Sequence, residues 1–251
     1  MGRYFMQLAY RGEPFHGWQT QPGEVTVQSV LEQALTTLLR TPTAVVGAGR
    51  TDAGVNASMM IAHFDADRQL EPRAVNSLVG PDIAVYDIRQ VHDDAHARFD
   101  ATSRTYHYRA VERKSPFLGP LTWLTRPLDY ALMNRAAALL LETDDFTSFA
   151  KLHSDARTNI CKVTRAEWVP DPATGGMTFV ITANRFLRNM VRAVVGTLVD
   201  VGRGKMAVEE FAAVIAARNR CAAGTSMPPQ ALYLAQVVYP YWPEANMEVK
   251  G

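Results

Sequence analysis

The segment Gly49–Ala57, GRTDAGVNA, sets one carboxylate, Asp52, between a guanidinium two positions back (Arg50) and a glycine two positions on (Gly54). Thr51 adds a hydroxyl beside it. Upstream, Gly47-Ala48-Gly49 closes the apolar run Ala44-Val45-Val46, which reads as a strand opening into a tight loop. A carboxylate held there, paired with a guanidinium and bracketed by glycines that let a ligand approach the backbone, can serve as a nucleophile or a base. The same string also fits an Asx-type turn with a surface ion pair, and spacing alone leaves both readings open.

Two further clusters carry chemistry-bearing side chains. In Ser103–Arg109, SRTYHYR, Tyr106 and Tyr108 fall two apart on an expected strand and share a face, suited to cross-strand packing or to stacking on a ligand. In Asn184–Arg192, NRFLRNMVR, Arg185, Arg188 and Arg192 fall at i, i+3 and i+7. A helix from Phe186 to Val199 would gather them on one side, with Phe186, Met190, Val191, Val194 and Val195 covering much of the rest. Arg203 and Lys205 follow in a GRGK loop. Metal chemistry has little to stand on: the nearest ligand pair, His92 and His96, follows a strand and not a helix, and no HExxH or Cys/His finger spacing occurs. A glycosidase would want two carboxylates flanking its substrate, and the loop offers Asp52 alone, with Asp65 and Asp67 further on in an expected loop.

The elements that must position these residues are mixed. Arg3–Ala9 alternates as a strand, and further strands are expected at Ile61–Phe64, Ile83–Val91, Thr105–Val111, Val163–Val169, Met177–Ala183 and Leu232–Val238. Apolar residues at helical spacing predict a helix over Val27–Leu39 with Thr26 as N-cap, a second over Leu128–Leu141, a third over Phe186–Val199 and a fourth over Val208–Arg218. Asp171–Gly176 reads as a hairpin turn. Long antiparallel strands with helices set between them suggest an α+β fold, each half repeating the order strand, helix, strands. Pro116–Pro127 is the least periodic stretch, so the expected division is residues 1–115 and 116–251.

At 251 residues and 47% apolar composition the chain is globular, with ample sequence for a core. No apolar run reaches membrane-spanning length and the N-terminus lacks a signal-peptide pattern. Cys161 and Cys221 offer no disulfide framework, so a reducing, cytoplasmic setting is the expectation. The net charge of +1 says nothing of nucleic acid, but 21 of the 26 basic residues are Arg, whose planar fork suits phosphates and stacks on bases.

GRTDAGVNA resembles the catalytic motif of the tRNA pseudouridine synthases of the TruA type, usually written GRTDAGVHA. Tyr10–Gln21 (YRGEPFHGWQTQ), His96–Arg109 (HARFDATSRTYHYR), Asp144–Ala150 (DDFTSFA), Asn184–Leu198 (NRFLRNMVRAVVGTL) and Ala231–Pro240 (ALYLAQVVYP) resemble its other motifs, in the same order. The resemblance implies two related α/β subdomains with largely antiparallel sheets meeting to form one cleft, assembled as a homodimer. It implies a cofactor-free, metal-free isomerase that converts uridine to pseudouridine at positions 38, 39 and 40 in the anticodon stem-loop of tRNA. By the same resemblance Asp52 is the nucleophile, Arg192 the arginine beside it, Tyr106 the aromatic stacked on the flipped base, Leu232 an apolar neighbour of that base and Arg188 a phosphate contact.

The reaction moves the ribose C1′ bond from N1 to C5 of the base, consuming neither oxidant nor water, so one carboxylate suffices. It can attack C1′ or C6 or deprotonate C2′, and the sequence does not choose. Arg50 would keep the carboxylate ionised or hold the phosphate of the flipped nucleotide. The target must leave its stack to reach a buried acid, and an aromatic platform recovers part of that penalty. One departure stands out: Asn56 replaces the motif's usual His. An amide can hydrogen-bond but does not titrate, which points to a structural or RNA-positioning role there. The rival reading is an RNA-binding protein in which catalysis is secondary or lost.

Overall fold

The computed structural model describes residues 1–151 and 157–242. In chain order its elements are β1 (Gly2–Tyr10), α1 (Val27–Leu39), β2 (Val46–Gly47), β3 (Asn56–Ala66), α2 (Pro72–Asn76), β4 (Ile83–Val91), β5 (Ser103–Val111), β6 (Trp123–Leu124), α3 (Tyr130–Ala138), β7 (Val163–Asp171), β8 (Gly176–Ala183), α4 (Met190–Gly202), α5 (Val208–Ala217) and β9 (Leu232–Val238), joined by short 3-10 turns. The class is α+β with largely antiparallel strand pairing. Among the described residues no helix is long and apolar enough to cross a membrane.

The chain divides into two compact units, Met1–Arg104 with the stretch from Tyr233, and Thr105–Leu232. This division differs from the one expected near residue 115. Pro116–Pro127 lies inside the second unit, where its proline-rich path still yields a 3-10 turn at Gly119–Leu121 and β6, paired with β5.

In the first unit β1 pairs antiparallel with both β3 and β4, while β9 lies parallel to β3. β1 supplies core on both faces. Tyr4 stacks on its cross-strand partner Phe64 with ring centroids 5.7 Å apart, and Phe5 packs edge-on against Tyr239 at 5.1 Å. The helix expected at Val27–Leu39 forms over that range because Thr26 closes a capping box: its hydroxyl accepts from Ser29 N and Ser29 Oγ accepts from Thr26 N. Val27, Leu31, Ala34 and Leu35 make the buried stripe.

Two expectations change here. The strand read at Ala44–Val46 shrinks to the two-residue β2. β3 in turn begins much earlier than Ile61, so Asn56 and Ala57, the last residues of the motif, are strand residues opposite Tyr233 and Leu234. Glycines and a polar Asn masked that start, because pairing partners and not local propensity decide it.

In the second unit β7 and β8 form the expected hairpin, turned at Asp171–Gly176 with Gly175 N donating to Asp171 O at 2.8 Å. The helix expected at Leu128–Leu141 is α3, capped by Asp129 and finished by a 3-10 turn at Leu139–Leu141. The third helix is a correction: α4 starts at Met190 and not Phe186. Asn189 adopts φ 66°, a left-handed conformation that no continuing helix admits, and is held there by Nδ2 donating to Ser226 Oγ at 2.6 Å. Arg185 and Arg188 therefore precede the helix, and no single helical face gathers them with Arg192. Nor is α4 half solvated: all its residues but Arg192 and Asp200 are buried.

Candidate active site

Strand β1 and the loop after it build the bed for the motif. The antiparallel register carries Tyr10 opposite Ala57, and its hydroxyl shares a buried 2.8 Å hydrogen bond with Thr51 Oγ1. Trp18 N donates to Thr51 O at 3.1 Å, and Gly17 lies so close that a Cβ there would sit 2.6 Å from the same oxygen. Gly17 also holds φ 88°, so glycine is required on both counts. Thr51 is thus fixed at its side chain and its carbonyl. One residue on, Asp52 starts a turn closed by Val55 N donating to Asp52 O at 3.1 Å, which Gly54 completes at φ 77°. Asp52 itself stays half-buried, presented by a loop that is anchored just before it and just after it.

Asn56 is the rear anchor. It is 2% exposed, and its Oδ1 accepts from Gly12 N at 2.8 Å, tying the first residue of β3 to the loop after β1. The burial and this bond are what a structural role requires. Arg50, two residues before the half-buried Asp52, is exposed.

The second unit holds the other candidates. Tyr106 and Tyr108 differ in depth along β5. Tyr108 is fully buried with its hydroxyl donating to Pro228 O at 3.2 Å, and burial raises its pKa. Tyr106 is half-buried, its ring edge-on to Phe186 at 5.0 Å. Phe186 is a neighbour that its place in the arginine-rich segment did not announce. Arg192 lies on the first turn of α4, half-buried, with Nε donating to Met227 O at 2.6 Å while its own carbonyl accepts from Met227 N at 3.1 Å. That doubled link orients the guanidinium through the backbone of a separate loop. Arg188 is exposed in the turn before α4, and its carbonyl accepts from Lys151 N. Leu232 opens β9 and is 5% exposed, as a core leucine is.

Tyr10 and Gly17, which hold Thr51, belong to the motif YRGEPFHGW. The glycine spacing was the only signal of their task, since a hydroxyl pair between residues 41 apart leaves no local pattern.

Residues 136–240 match the family model described as tRNA pseudouridine synthase. The tRNA pseudouridine synthase A of Porphyromonas gingivalis is 51% identical over 247 residues, covering 96% of this chain and 98% of that protein. The tRNA pseudouridine synthase A of Bacteroides thetaiotaomicron is 53% identical over 246 residues, covering 96% and 91% respectively. That of Bordetella parapertussis is 39% identical over 249 residues, covering 96% and 92%. These alignments take in the Asp52 loop, which the family-model match does not reach.

Proposed function

The chain belongs to the tRNA pseudouridine synthase A family, and from that premise we propose that it isomerises uridines 38, 39 and 40 in the anticodon stem-loop of tRNA, with Asp52 as the nucleophile on a flipped-out uridine. As a tRNA pseudouridine synthase it is an isomerase. The C1′–N1 bond breaks, C1′ bonds to C5, the hydrogen leaves C5, and N1 gains a proton. Atoms balance without a cofactor.

The observation that carries the reading is the anchored loop: Thr51 fixed by Tyr10, Trp18 and the close approach of Gly17, Asn56 fixed by Gly12, and Asp52 half-exposed between them. Such a carboxylate is preorganised, so little ordering remains when substrate arrives. Arg50, exposed beside it, takes the phosphate of the flipped nucleotide, where a bidentate guanidinium contact is strongest. Arg192 serves as the second catalytic arginine. The half-exposed ring of Tyr106, braced by Phe186, stacks on the extruded base, an interaction worth about 1–3 kcal/mol. Arg188 contacts backbone phosphate, and Leu232 packs near the target base. Asn56 positions the loop that meets the RNA. Homodimeric assembly and a cytoplasmic setting belong to the same reading.

The test is release of tritium from tRNA transcribed with 5-tritiated uridine, run with the parent protein and Asp52→Ala in parallel. Release by the parent alone, with tRNA still bound by Asp52→Ala, is the expected result. Equal release by both would remove Asp52 from the chemistry. No release by either, with binding intact, would favour the RNA-binding reading.

A further inference from the structure

The motif HARFDATSR, residues 96–104, is left without a task by the mechanism above, yet it builds a braced, exposed aromatic in the first unit. Phe99 is 75% exposed. Isolated exposed apolar residues are ordinary, so the case rests on what surrounds this one. Here the His96 ring stacks on Phe99 with centroids 4.2 Å apart and planes inclined 30°, and the Arg98 guanidinium carbon lies 5.9 Å from the Phe99 centroid.

The loop under it is bonded throughout. His96 Nδ1 accepts from both Arg98 N and Phe99 N, at 3.1 and 3.2 Å. His96 N donates to Asp100 Oδ2 at 2.7 Å, and the same oxygen accepts from Tyr241. Ala97 N donates to the buried His63. The Arg104 guanidinium donates to the carbonyls of Arg98 at 2.6 Å and Ala101 at 2.8 Å. It also donates, at 2.9 Å, to the carbonyl of Ala48, the residue before the Asp52 motif begins. One side chain thus fastens the Phe99 loop to the approach of the catalytic loop. Asp94, at the loop's start, is engaged by His92 Nδ1 at 2.5 Å, and Arg98 is exposed.

We propose that Phe99, backed by His96 and flanked by Arg98, is a stacking platform for an unpaired nucleobase of the tRNA other than the target uridine, with Arg98 on an adjoining phosphate. A rigid, solvent-facing aromatic beside an exposed cation matches what single-stranded nucleic acid requires: a π-face for a base and a charge for the backbone. Any base fits a phenyl face, so the contact strengthens tRNA binding with little preference for sequence. The inference rests on tRNA being the substrate.

The experiment measures equilibrium binding of a tRNA transcript bearing uridines at 38–40 in the Asp52→Ala background, which holds substrate without turning it over. Adding Phe99→Ala weakens binding about 5- to 150-fold, the range of one lost base stack. Phe99→Trp restores it, whereas Phe99→Leu, apolar but without a π-face, stays as weak as the alanine variant. Phe99→Ala leaves the slope of log affinity against log salt unchanged, while Arg98→Ala flattens it by about one unit. Unchanged affinity in Phe99→Ala, or full recovery with leucine, overturns the proposal while leaving the tRNA reading intact. Failure of the Asp52→Ala protein itself to bind tRNA sinks both.

Discussion

Asp52 gains its position from neighbours that do no chemistry. Asn56 is the clearest of them, because its buried amide oxygen takes the Gly12 N–H that would otherwise be stranded. Replacing it by the near-isosteric leucine leaves that donor unsatisfied at a cost of about 1–3 kcal/mol, read as a lower denaturation midpoint in urea. Replacing it by the histidine usual in the motif separates two roles. An imidazole nitrogen can accept the same N–H, so Asn56→His retains turnover, and its pH–rate profile superimposes on the parent's. A new limb near the ordinary histidine pKa of about 6.5 would instead make position 56 a proton carrier. Arg50 shows the limit of spacing: two residues apart in an irregular loop sets no distance, and Arg50 is exposed where Asp52 is half-buried.

Helix α4 orients Arg192 through the loop it packs on. Met227 N and O both engage Arg192, Gly224 N donates to Thr197 Oγ1 at 2.9 Å, and a Cβ on Gly196 would collide with the carbonyl of Thr225. Backbone cannot swing aside as a flexible side chain does. Gly196→Ala therefore pushes the loop away and destabilises the protein by about 1–3 kcal/mol, with turnover falling more than the loss of folded protein explains. Urea titration together with kcat at a temperature where the variant is fully folded checks both parts. An alanine variant of parental stability and rate would show that the loop moves freely. This helix also marks how far the sequence was legible. Its apolar run was visible, and so were α1 with its Thr26 cap, β4, β9 and the β7–β8 turn, because periodicity and capping are local signals. Its start was not, because Asn189 turns left-handed for a hydrogen bond to Ser226, 37 residues away. β3 hid its beginning for the same reason, its first residues being strand through pairing with the distant β9 and, at Ala57, with β1. At the candidate site the acid and arginines could be picked from motifs, whereas Tyr10 and Phe186 became visible only through distances.

Acid stability of the whole protein follows from groups that folding keeps uncharged. With a net charge of +1 at pH 7, general self-repulsion is small near neutrality, so individual shifted groups set the early response. Burial lowers the pKa of His63, His96 and His107, His63 to about 4. Arg3 and His96 push His63 further down while Asp65 and Asp100 oppose them. A histidine whose folded pKa lies below its ordinary 6.5 is neutral in the native state and takes up its proton in the unfolded chain first. The unfolded state then binds more protons, so stability falls as pH drops from 6.5 and the loss is complete near 4. Carboxylates act in the same direction but lower. Asp65, bonded to Arg3, and Asp100, bonded to Tyr241, are held below the ordinary 3.8, so their stabilisation is lost only beneath that value. Two stages are therefore expected. Between pH 7 and 5, His63 alone removes about 2 kcal/mol of unfolding free energy. His63→Asn keeps an acceptor for Ala97 N without a titrating ring, so its stability at pH 7 drops for lost packing while its decline towards pH 5 becomes shallower. Urea unfolding of both proteins across that interval reads the difference in slope. Parallel declines would place the proton uptake on His96 or His107 instead.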